Sequence, residues 1–218
     1  MRLRPQDHLR ERVATYFDPL PFWYPPLEQA CTDTEAYPLA AITQRPMAMY
    51  HSWDSQNAWL RQIHSHNYLH VSPVTARAAG IDDGGWAWVE SRWGRVRCMV
   101  RYSEAVEPGT VWTWNAIGKA SGAWMLAPGA DESRKGFLLN HLISEELPLA
   151  GGGTVSNSDP ITGQAGWYDV RVRLRPAEPG EPAETSPQVA ATPQVPGVLG
   201  LRGGAQAVMT YFAGRKKP

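Results

Sequence analysis

The stretch Leu69–Ser91, LHVSPVTARAAGIDDGGWAWVES, decides the fold of this chain because it combines a short helix, a tight turn and a strand. Ser72 suits the N-cap of the helix, Pro73 suits its first position and Gly80 suits the residue just past its end. Residues 82–85, which read DDGG, then predict a turn before the strand WAWVES. Taken locally, this order indicates a small α+β or barrel domain.

The neighbouring sequence predicts mostly strands. We predict strands over residues 39–43, 86–92, 95–101 and 170–174, another strand from Thr110, and helices over residues 54–63, 72–79 and 133–146. The strand over 95–101 alternates arginine with apolar residues, as a half-buried hairpin strand does, and a Trp93-Gly94 turn is expected before it. Asp54 is the expected cap of the first helix. The predicted class is mainly β with short helices, that is, α+β.

Composition divides the chain into three parts. Residues 1–37 contain the aromatic and proline-rich run 17–26, which favours an extended arm. Residues 38–175 hold the predicted barrel. Residues 176–218 form the predicted flexible tail, because residues 176–200 are rich in Pro, Glu, Thr, Gln and Val without hydrophobic periodicity. We therefore predict one folded domain between an arm and a Pro-rich tail.

The spacing of the opening stretch resembles the C-terminal domain of molybdopterin oxidoreductases of the dimethyl sulfoxide reductase family. The residues in register with that pattern are Ala76, Gly80, Ile81, Gly84, Val89, Ser91 and Gly94. Family members usually carry Gly-Asp before the strand, whereas this chain has Gly84-Gly85, so a looser turn is expected here. The resemblance implies a double-psi β-barrel-like domain.

Further segments repeat the resemblance in the same chain order, from Pro38 to Leu174. Thr43-Gln44-Arg45 followed by Tyr50-His51-Ser52 is similar to a Thr-x-Arg and His-Ser/Thr pattern of the family. Downstream, the segment 139–142, LNHL, precedes the segment 156–164, SNSDPITGQ. Each piece is short, and the shared order gives them their weight.

The resemblance implies a cofactor of molybdenum held by two molybdopterin guanine dinucleotides (Mo-bis-MGD). Such a ligand needs backbone N–H groups and arginine or lysine for its phosphates, and paired donors and acceptors for its pterin edges. The implied cofactor-binding residues are Thr43, Arg45, His51, Ser52, Asn140, Asp159, Thr162 and Gln164. Considered singly, Arg45 would be read as a surface arginine and His51 as a half-buried structural histidine. The family pattern gives them their proposed role.

The sequence lacks what independent catalysis in this family would need. Cys31 and Cys98 are the only thiols, so there is no iron–sulfur motif, and we expect both to be free and buried. No catalytic constellation is visible. The resemblance thus implies a partner, a larger molybdoenzyme catalytic portion with an iron–sulfur cluster, and a chain that is inactive alone.

Charge and hydropathy exclude other classes of function. The formal net charge of zero and the pI near 7.0 argue against nucleic acid and anionic membranes as partners. No apolar run approaches the roughly 20 residues that a bilayer span requires, and the amino terminus has no secretory pattern, so a cytoplasmic location is expected.

Histidines and tryptophans are the remaining candidates for a site. His64, His66 and His70 lack a known metal-ligand spacing, because residues 69–71 favour a strand, and a structural or surface role is preferred. Ten tryptophans are unusual for this length, and we expect Trp86, Trp88 and Trp93 to fill a core or an interface.

Two segments, residues 115–119 and 158–164, resemble the branch of the family that acts on inorganic sulfur compounds. A second interpretation stays open from the residues alone: a cofactor-free barrel that serves as a protein-interaction module through the arm 17–24, or an inactive truncated remnant. A binding face plugged by Trp112, Trp114 or Trp124 would favour that second interpretation.

Overall fold

The computed structural model describes mostly strands with a few short helices. It covers residues 4, 6–16, 20–21, 23, 26–55, 57–115, 117–118, 130–148, 153–159, 162–166, 169–181 and 188–189. The strands are β1 (Leu39–Gln44), β2 (Tyr68–Val71), β3 (Trp86–Ser91), β4 (Gly94–Tyr102), β5 (Thr110–Trp114), β6 (Glu146–Pro148), β7 (Thr154–Ser156), β8 (Val170–Pro176) and β9 (Gln188–Val189). The α-helices are α1 (Arg10–Tyr16), α2 (Leu27–Cys31), α3 (Ala58–Ile63) and α4 (Pro73–Ala78), and 3-10 helices cover Asp7–Leu9, His51–Trp53, Asp131–Arg134 and Leu139–Leu142. None of the described helices has the length and apolar character needed to cross a bilayer.

Six strands close into a barrel. They follow the order β2-β5-β1-β8-β3-β4, and β4 pairs back with β2 to complete the ring. The pairs β1–β5 and β2–β4 are parallel, whereas the other neighbouring pairs of the ring are antiparallel. Closure satisfies the backbone groups that an open sheet would leave at its edges. The prediction of a mainly β, double-psi β-barrel-like domain is confirmed.

Alternate residues of the strands fill the inside of the barrel. The fully buried side chains among them include Leu69, Val71, Ala87, Val89, Val96, Cys98, Val100, Val111 and Val172. Most are β-branched, which suits a pleated surface, and each valine or leucine buried in this way contributes roughly 1.5–3 kcal/mol. Both cysteines are free thiols as predicted, although only Cys98 is fully enclosed and Cys31 is half-buried.

The outer face of β4 explains how its arginines are accommodated. Arg95 lies 4.4 Å from the ring centroid of Trp88, and Arg97 lies 4.6 Å from that of Trp86. These cation–π contacts let the apolar stems pack on aromatic rings, so that Arg97 is almost entirely buried and Trp88 completely. The predicted alternation of the strand is confirmed.

Glu90 on β3 is a buried carboxylate surrounded by arginines. Its Oε2 accepts a hydrogen bond from Nε of Arg173 at 2.8 Å. Arg95 and Arg175 approach its Oε1, each at 3.6 Å. Three cations thus offset the desolvation of one anion on the outer face of β3 and β8.

The opening stretch folds largely as predicted. Pro73 begins α4 after the N-cap Ser72, whose side chain makes no capping bond, and Gly80 follows the helix with φ +70°. The turn that precedes β3 is not loose, because Oδ1 of Asp83 accepts a hydrogen bond from the backbone N–H of Tyr102 at 2.8 Å. Asp83 therefore anchors the turn in place of the aspartate expected one position before the strand.

The start of α3 differs from the prediction. Asn57 is the N-cap, and its Oδ1 accepts from the N–H groups of Trp59 at 3.0 Å and Leu60 at 3.4 Å. The predicted cap, Asp54, instead accepts from the N–H of Tyr50 at 2.7 Å. Both side chains are good caps, and Asp54 is used to close the preceding turn.

The predicted helix over residues 133–146 is wrong. Two short 3-10 helices and β6 occupy that stretch instead. A Cβ added at Gly136 would lie 2.5 Å from the carbonyl oxygen of Ile117 and 2.7 Å from Cα of Gly118. The backbone at Gly136 therefore packs directly against the backbone of Ile117 and Gly118. The apolar residues of this stretch have helical spacing in the sequence, but the stretch does not form a helix.

Smaller differences concern the hairpin, the arm and the tail. Ser91 pairs with Gly94, so the turn is residues 92–93 and lies one position earlier than predicted. Two helices, α1 and α2, lie within the predicted extended arm, and most of its run 17–26 lies outside the described residues. The tail contributes β9, which pairs with β4 at Gly94 and Arg95. The three domain limits themselves stay predictions.

A polar corner attaches α2 to the barrel. Glu28 is almost completely buried, and its Oε1 accepts from Nε1 of Trp93 at 3.0 Å and from Oγ1 of Thr32 at 3.1 Å. The N–H of Glu28 donates to Oδ2 of Asp169 at 3.1 Å. Burial raises the pKa of both carboxyl groups above their ordinary values. Trp93 thus fills an interface, as predicted.

Candidate functional site

The parallel pairing of β1 and β5 brings two strand ends to the same end of the barrel. Thr43 pairs with Thr113 and Gln44 with Trp114. The N–H of Asn115 then donates to the carbonyl oxygen of Gln44 at 2.7 Å, which holds the two exits together. Residues that follow either strand are therefore neighbours, and this end of the barrel is the candidate site.

Two buried oxygens at this end have no hydrogen-bond partner within the described residues. They are Oγ1 of Thr43 and Oδ1 of Asn115. A buried polar atom without a partner costs about 1–3 kcal/mol, so such atoms are uncommon in folded chains. Both atoms can accept a hydrogen bond, and the Thr43 hydroxyl can also donate one. The arrangement can hold a polar ligand.

Three more of the predicted residues lie on the segment that follows β1. Arg45 is exposed just beyond the strand. His51 begins the 3-10 helix His51–Trp53 with φ 48°, a left-handed conformation that is uncommon outside glycine, and it packs edge-on against Tyr50 at 4.9 Å. Ser52 is the next residue of the same helix. The segment places a cation and a half-buried imidazole beyond the end of β1.

A small cleft, partly open to solvent, lies beside this segment. Its lining consists of Met49, Ser55, Arg61, His64, Ser65, Ile117, Gly118, Glu132, Lys135 and Gly136. Glu132 pairs with Arg61 and, at 2.7 Å, with Lys135, so two cations share one carboxylate. The cleft carries a net positive charge from these three groups, which suits an anionic ligand.

Asn67 is a site residue that the sequence analysis missed. It is 2% exposed, and its Oδ1 accepts from Oγ1 of Thr113 at 2.8 Å and from the N–H of Trp114 at 3.2 Å. Its Nδ2 donates to the carbonyl oxygens of Trp114 at 2.9 Å and Phe137 at 3.1 Å. Asn67 thus fixes the end of β5 against the 135–137 segment that forms one wall of the cleft. Nothing in the local sequence around Asn67 distinguishes this role.

An aromatic cluster covers the outside of the barrel next to the cleft. The imidazole of His70 stacks on Trp112 with centroids 3.9 Å apart, and Trp112 meets Trp114 edge-on at 4.9 Å. His64 contacts Trp114 at 5.5 Å. Burial and the charge of Arg101 lower the pKa of His70. No group of three or more possible metal ligands occurs in the part of the chain that the structure describes.

The other predicted residues lie on separate segments. Asn140 is exposed on the 3-10 helix Leu139–Leu142, three residues beyond the Phe137 carbonyl that Asn67 binds. Asp159, Thr162 and Gln164 lie in the loop that follows β7. Oδ1 of Asp159 accepts hydrogen bonds from the N–H and Oγ1 of Thr162 at 2.6 and 2.8 Å, and the N–H of Asp159 donates to the carbonyl oxygen of Gln164 at 2.7 Å. The loop is therefore a turn closed by its own residues. The described contacts tie it through Asn157 to Ser144 and Glu145, which precede β6, rather than to the ends of β1 and β5.

Comparison with known proteins gives one family and several relatives. The family described as "Molydopterin dinucleotide binding domain" matches residues 39–157. A sulfite dehydrogenase subunit of Allochromatium vinosum is 65% identical over 214 residues, which is 98% of this chain and 22% of that protein. Acetylene hydratase of Syntrophotalea acetylenica is 30% identical over 99 residues, which is 44% of this chain and 14% of that protein.

A solved structure shares the fold. Acetylene hydratase from Pelobacter acetylenicus superimposes with a TM-score of 0.54 at 21% identity, covering 75% of this chain and 22% of that one. The chain therefore spans at most 22% of the length of each of these three relatives. Most of each relative has no counterpart here.

Proposed function

The chain belongs to the molydopterin dinucleotide binding domain family, and from this premise we propose that it binds a molybdopterin guanine dinucleotide as the C-terminal portion of a molybdenum oxidoreductase. The observation that carries the proposal is the parallel end of β1 and β5, where the buried oxygens of Thr43 and Asn115 lack partners within the described residues. A cofactor with amino, pterin N–H and phosphate groups fits these two atoms, since Asn115 Oδ1 can accept a hydrogen bond from it and the Thr43 hydroxyl can donate one to it.

Four of the predicted residues lie on β1 or on the segment that follows it, and a fifth, Asn140, lies on a separate 3-10 helix. Thr43 and Arg45 are the proposed phosphate contacts, because a hydroxyl and a guanidinium fork both donate to phosphate oxygens. His51 and Ser52, on the 3-10 helix that follows, are proposed pterin contacts. Asn140 would donate to and accept from the edge of a heterocycle with its exposed amide.

The turn that contains Asp159, Thr162 and Gln164 has a different proposed role. Asp159 and Thr162 use their side chains on each other, which fixes the turn and leaves its backbone as the part able to meet a ligand. Gln164 is exposed and retains its side-chain amide for a contact. We therefore propose binding through the turn as a unit.

The form of the cofactor and the partner follow from the same proposal. We propose the Mo-bis-MGD form, with any iron–sulfur cluster held by the remaining, larger portion of the enzyme, and no activity for this chain alone. When bound, the cofactor supplies the redox chemistry, including electron transfer at its metal. The residues of this chain bind it and keep it oriented.

We propose that the substrate is an inorganic sulfur compound, and that the enzyme is located in the cytoplasm. The relative at 65% identity is named as part of a sulfite dehydrogenase, and its similarity extends over 98% of this chain. The segments 115–119 and 158–164 support the same branch on sequence grounds. This domain contacts cofactor more than substrate, so the substrate proposal rests on the overall similarity.

A direct test measures cofactor on the chain purified from its host. The tagged chain, with whatever portion of the enzyme it carries or binds, is assayed for molybdenum and for guanine nucleotide. Arg45→Ala and Asn140→Ala should each lower occupancy about tenfold, the loss expected for one good polar contact. Arg77→Ala, which removes another exposed arginine on α4, is the matched control and should keep full occupancy.

Two results would overturn the proposal. One is a preparation that contains the larger portion but neither molybdenum nor guanine nucleotide. The other is an equal loss of occupancy in the Arg45 and Arg77 variants, since this would show that charge anywhere on the surface has the same effect.

A further inference from the structure

Five large apolar side chains are exposed on the short segment between β1 and β2. We call them the apolar rim: Met47, Tyr50, Trp53, Trp59 and Ile63, with exposures of 100%, 64%, 74%, 79% and 65%. Isolated exposed apolar residues are ordinary, whereas five within one segment of 17 residues are a local concentration of exposed apolar surface, and such concentrations mark interaction surfaces.

An ordered backbone presents these side chains. Trp53 N–H donates to the carbonyl oxygen of Tyr50 at 3.2 Å, and Asp54 closes the same turn from its carboxylate. Asn57 caps α3, on which Trp59 and Ile63 are four residues apart and therefore on one face. The exposure of the rim is thus a property of a hydrogen-bonded segment that holds its apolar groups outward.

The same segment also lines the cleft. Met49, Ser55, Arg61 and His64 line the cleft and are interspersed in sequence with the rim residues. Met49 and Ser55 are buried, and Arg61 pairs with Glu132 across the cleft. The rim and part of the cleft lining therefore belong to one segment of the chain.

We propose that the apolar rim is the docking surface for the remaining portion of the molybdoenzyme, which seats on the segment that follows β1 and that also contributes to the cleft. The inference rests on the proposed function and adds the surface that joins the two portions. Its main support is length: a relative matches 98% of this chain at 65% identity, yet the chain accounts for 22% of that relative. The larger part of such an enzyme must contact this domain somewhere, and the rim is an exposed apolar surface beside the proposed site.

The chemistry of the rim points to a protein face rather than to a membrane. Asp54 and Arg61 are the only charged residues of the segment 47–63, and Arg61 is paired with Glu132. The segment therefore offers no cationic cluster to attract anionic lipid. Each covered aromatic ring buries on the order of 150–250 Å², so the rim supplies a large part of the roughly 800 Å² per partner of a stable interface.

The first experiment places a photo-crosslinking benzoylphenylalanine at position 59 or 74 of the gene as the host carries it. Val74 is the matched control, because it is 66% exposed on α4 and is not part of the rim. After irradiation, the crosslinked peptides are identified by mass spectrometry in the purified protein. We expect position 59 to crosslink to sequence that matches the part of the Allochromatium vinosum relative that this chain does not cover, and position 74 not to do so.

Other crosslinks would overturn the proposal. A second copy of this chain at position 59 would make the rim a homodimer surface, and lipid would make it a membrane contact. Absence of any crosslink from position 59 in a preparation that contains the larger portion would place the docking surface elsewhere.

Molybdenum and guanine nucleotide measured on the same sample separate this inference from the proposed function. Crosslinking to the larger portion without cofactor would overturn the function and keep the docking surface. Cofactor present without crosslinking would do the reverse.

Substitution gives an independent measure. Ile63→Ser should weaken association with the larger portion about tenfold, as loss of a covered apolar contact does, whereas Val74→Ser should leave it unchanged. Both variants change an exposed side chain on a short helix, so their folding costs are matched. Equal affinities for the two variants would contradict the proposal.

Discussion

Two regions of the barrel treat buried polar groups in opposite ways. On the outer face of β3 and β8, Glu90 is surrounded by three arginines. At the parallel end of β1 and β5, the buried oxygens of Thr43 and Asn115 have no partner within the described residues. Because folded proteins satisfy nearly all buried polar groups, the first region is completed by the chain itself and the second is open to completion by a ligand.

The largest expected effect comes from disrupting the packing beside the cleft at Gly136. Gly136→Ala should lower the free energy of unfolding by about 3 kcal/mol, since the new Cβ would meet the backbone of Ile117 and Gly118 at the crossing that shapes the cleft. Urea denaturation measures the change. Gly109→Ala is the control, because nothing lies within 4 Å of a Cβ there. Equal stability of the two variants would mean that the crossing is not close-packed.

Asn67→Ala should cost about 2 kcal/mol, because it strips hydrogen bonds from the Thr113 hydroxyl and the carbonyl oxygens of Trp114 and Phe137. This variant tests the comparison further, because Asn67 satisfies polar groups of the chain itself at the parallel end of β1 and β5. Thermal unfolding gives the readout. Asn140→Ala, at an exposed asparagine, should stay within about 0.5 kcal/mol of wild type. A similar loss in both variants would contradict the role of Asn67.

One pair of variants tests the contrast between the regions directly. Glu90→Gln should lower the free energy of unfolding by about 1–2 kcal/mol, because three arginines lose their anion. Thr43→Val should leave stability unchanged or raise it by up to about 1 kcal/mol, because it removes a buried hydroxyl that lacks a partner. The Val variant should nevertheless lose cofactor in the occupancy assay. If Thr43→Val destabilises as much as Glu90→Gln, the two regions do not differ.

The smallest expected effect concerns the pH dependence of stability at the polar corner around Glu28. Burial raises the pKa of Glu28 above its ordinary 4.5, so the folded chain binds a proton there more tightly than the unfolded chain does. Acidification from neutral pH through the raised pKa should therefore add stability, and the gain should end below pH 4.5, where the unfolded chain is protonated as well. Glu28→Gln should lack this contribution. Denaturation curves at several pH values compare the two, and parallel pH profiles would argue against a raised pKa.

The sequence was sufficient wherever local chemistry determines structure. Pro73 at the start of α4, Gly80 at its end and the alternating arginines of β4 each point to one conformation, and the structure has them. The order of the segments, matched to a family, supplied the barrel, because closing a ring of six strands is not readable from periodicity alone. The candidate site residues were likewise obtained from the family pattern.

Long-range contacts explain what the sequence did not predict. The helix expected over 133–146 failed because Gly136 approaches a backbone 18 residues away in sequence, at Gly118. Asn67 was missed because its partners lie 46 to 70 residues further along the chain. Asp54 and Asn57 were equally good caps, and only the folded turn selects between them.

The position of Cys98 gives the barrel a reporter of its own opening. Its thiol is completely enclosed between the strands, and burial raises its pKa, so it is neither reachable nor reactive while the ring of strands is closed. Alkylation of Cys98 must therefore wait for a transient separation of strands, and its rate measures how often the ring opens. If bound cofactor or a docked partner makes this strand separation rarer, Cys98 should be alkylated more slowly.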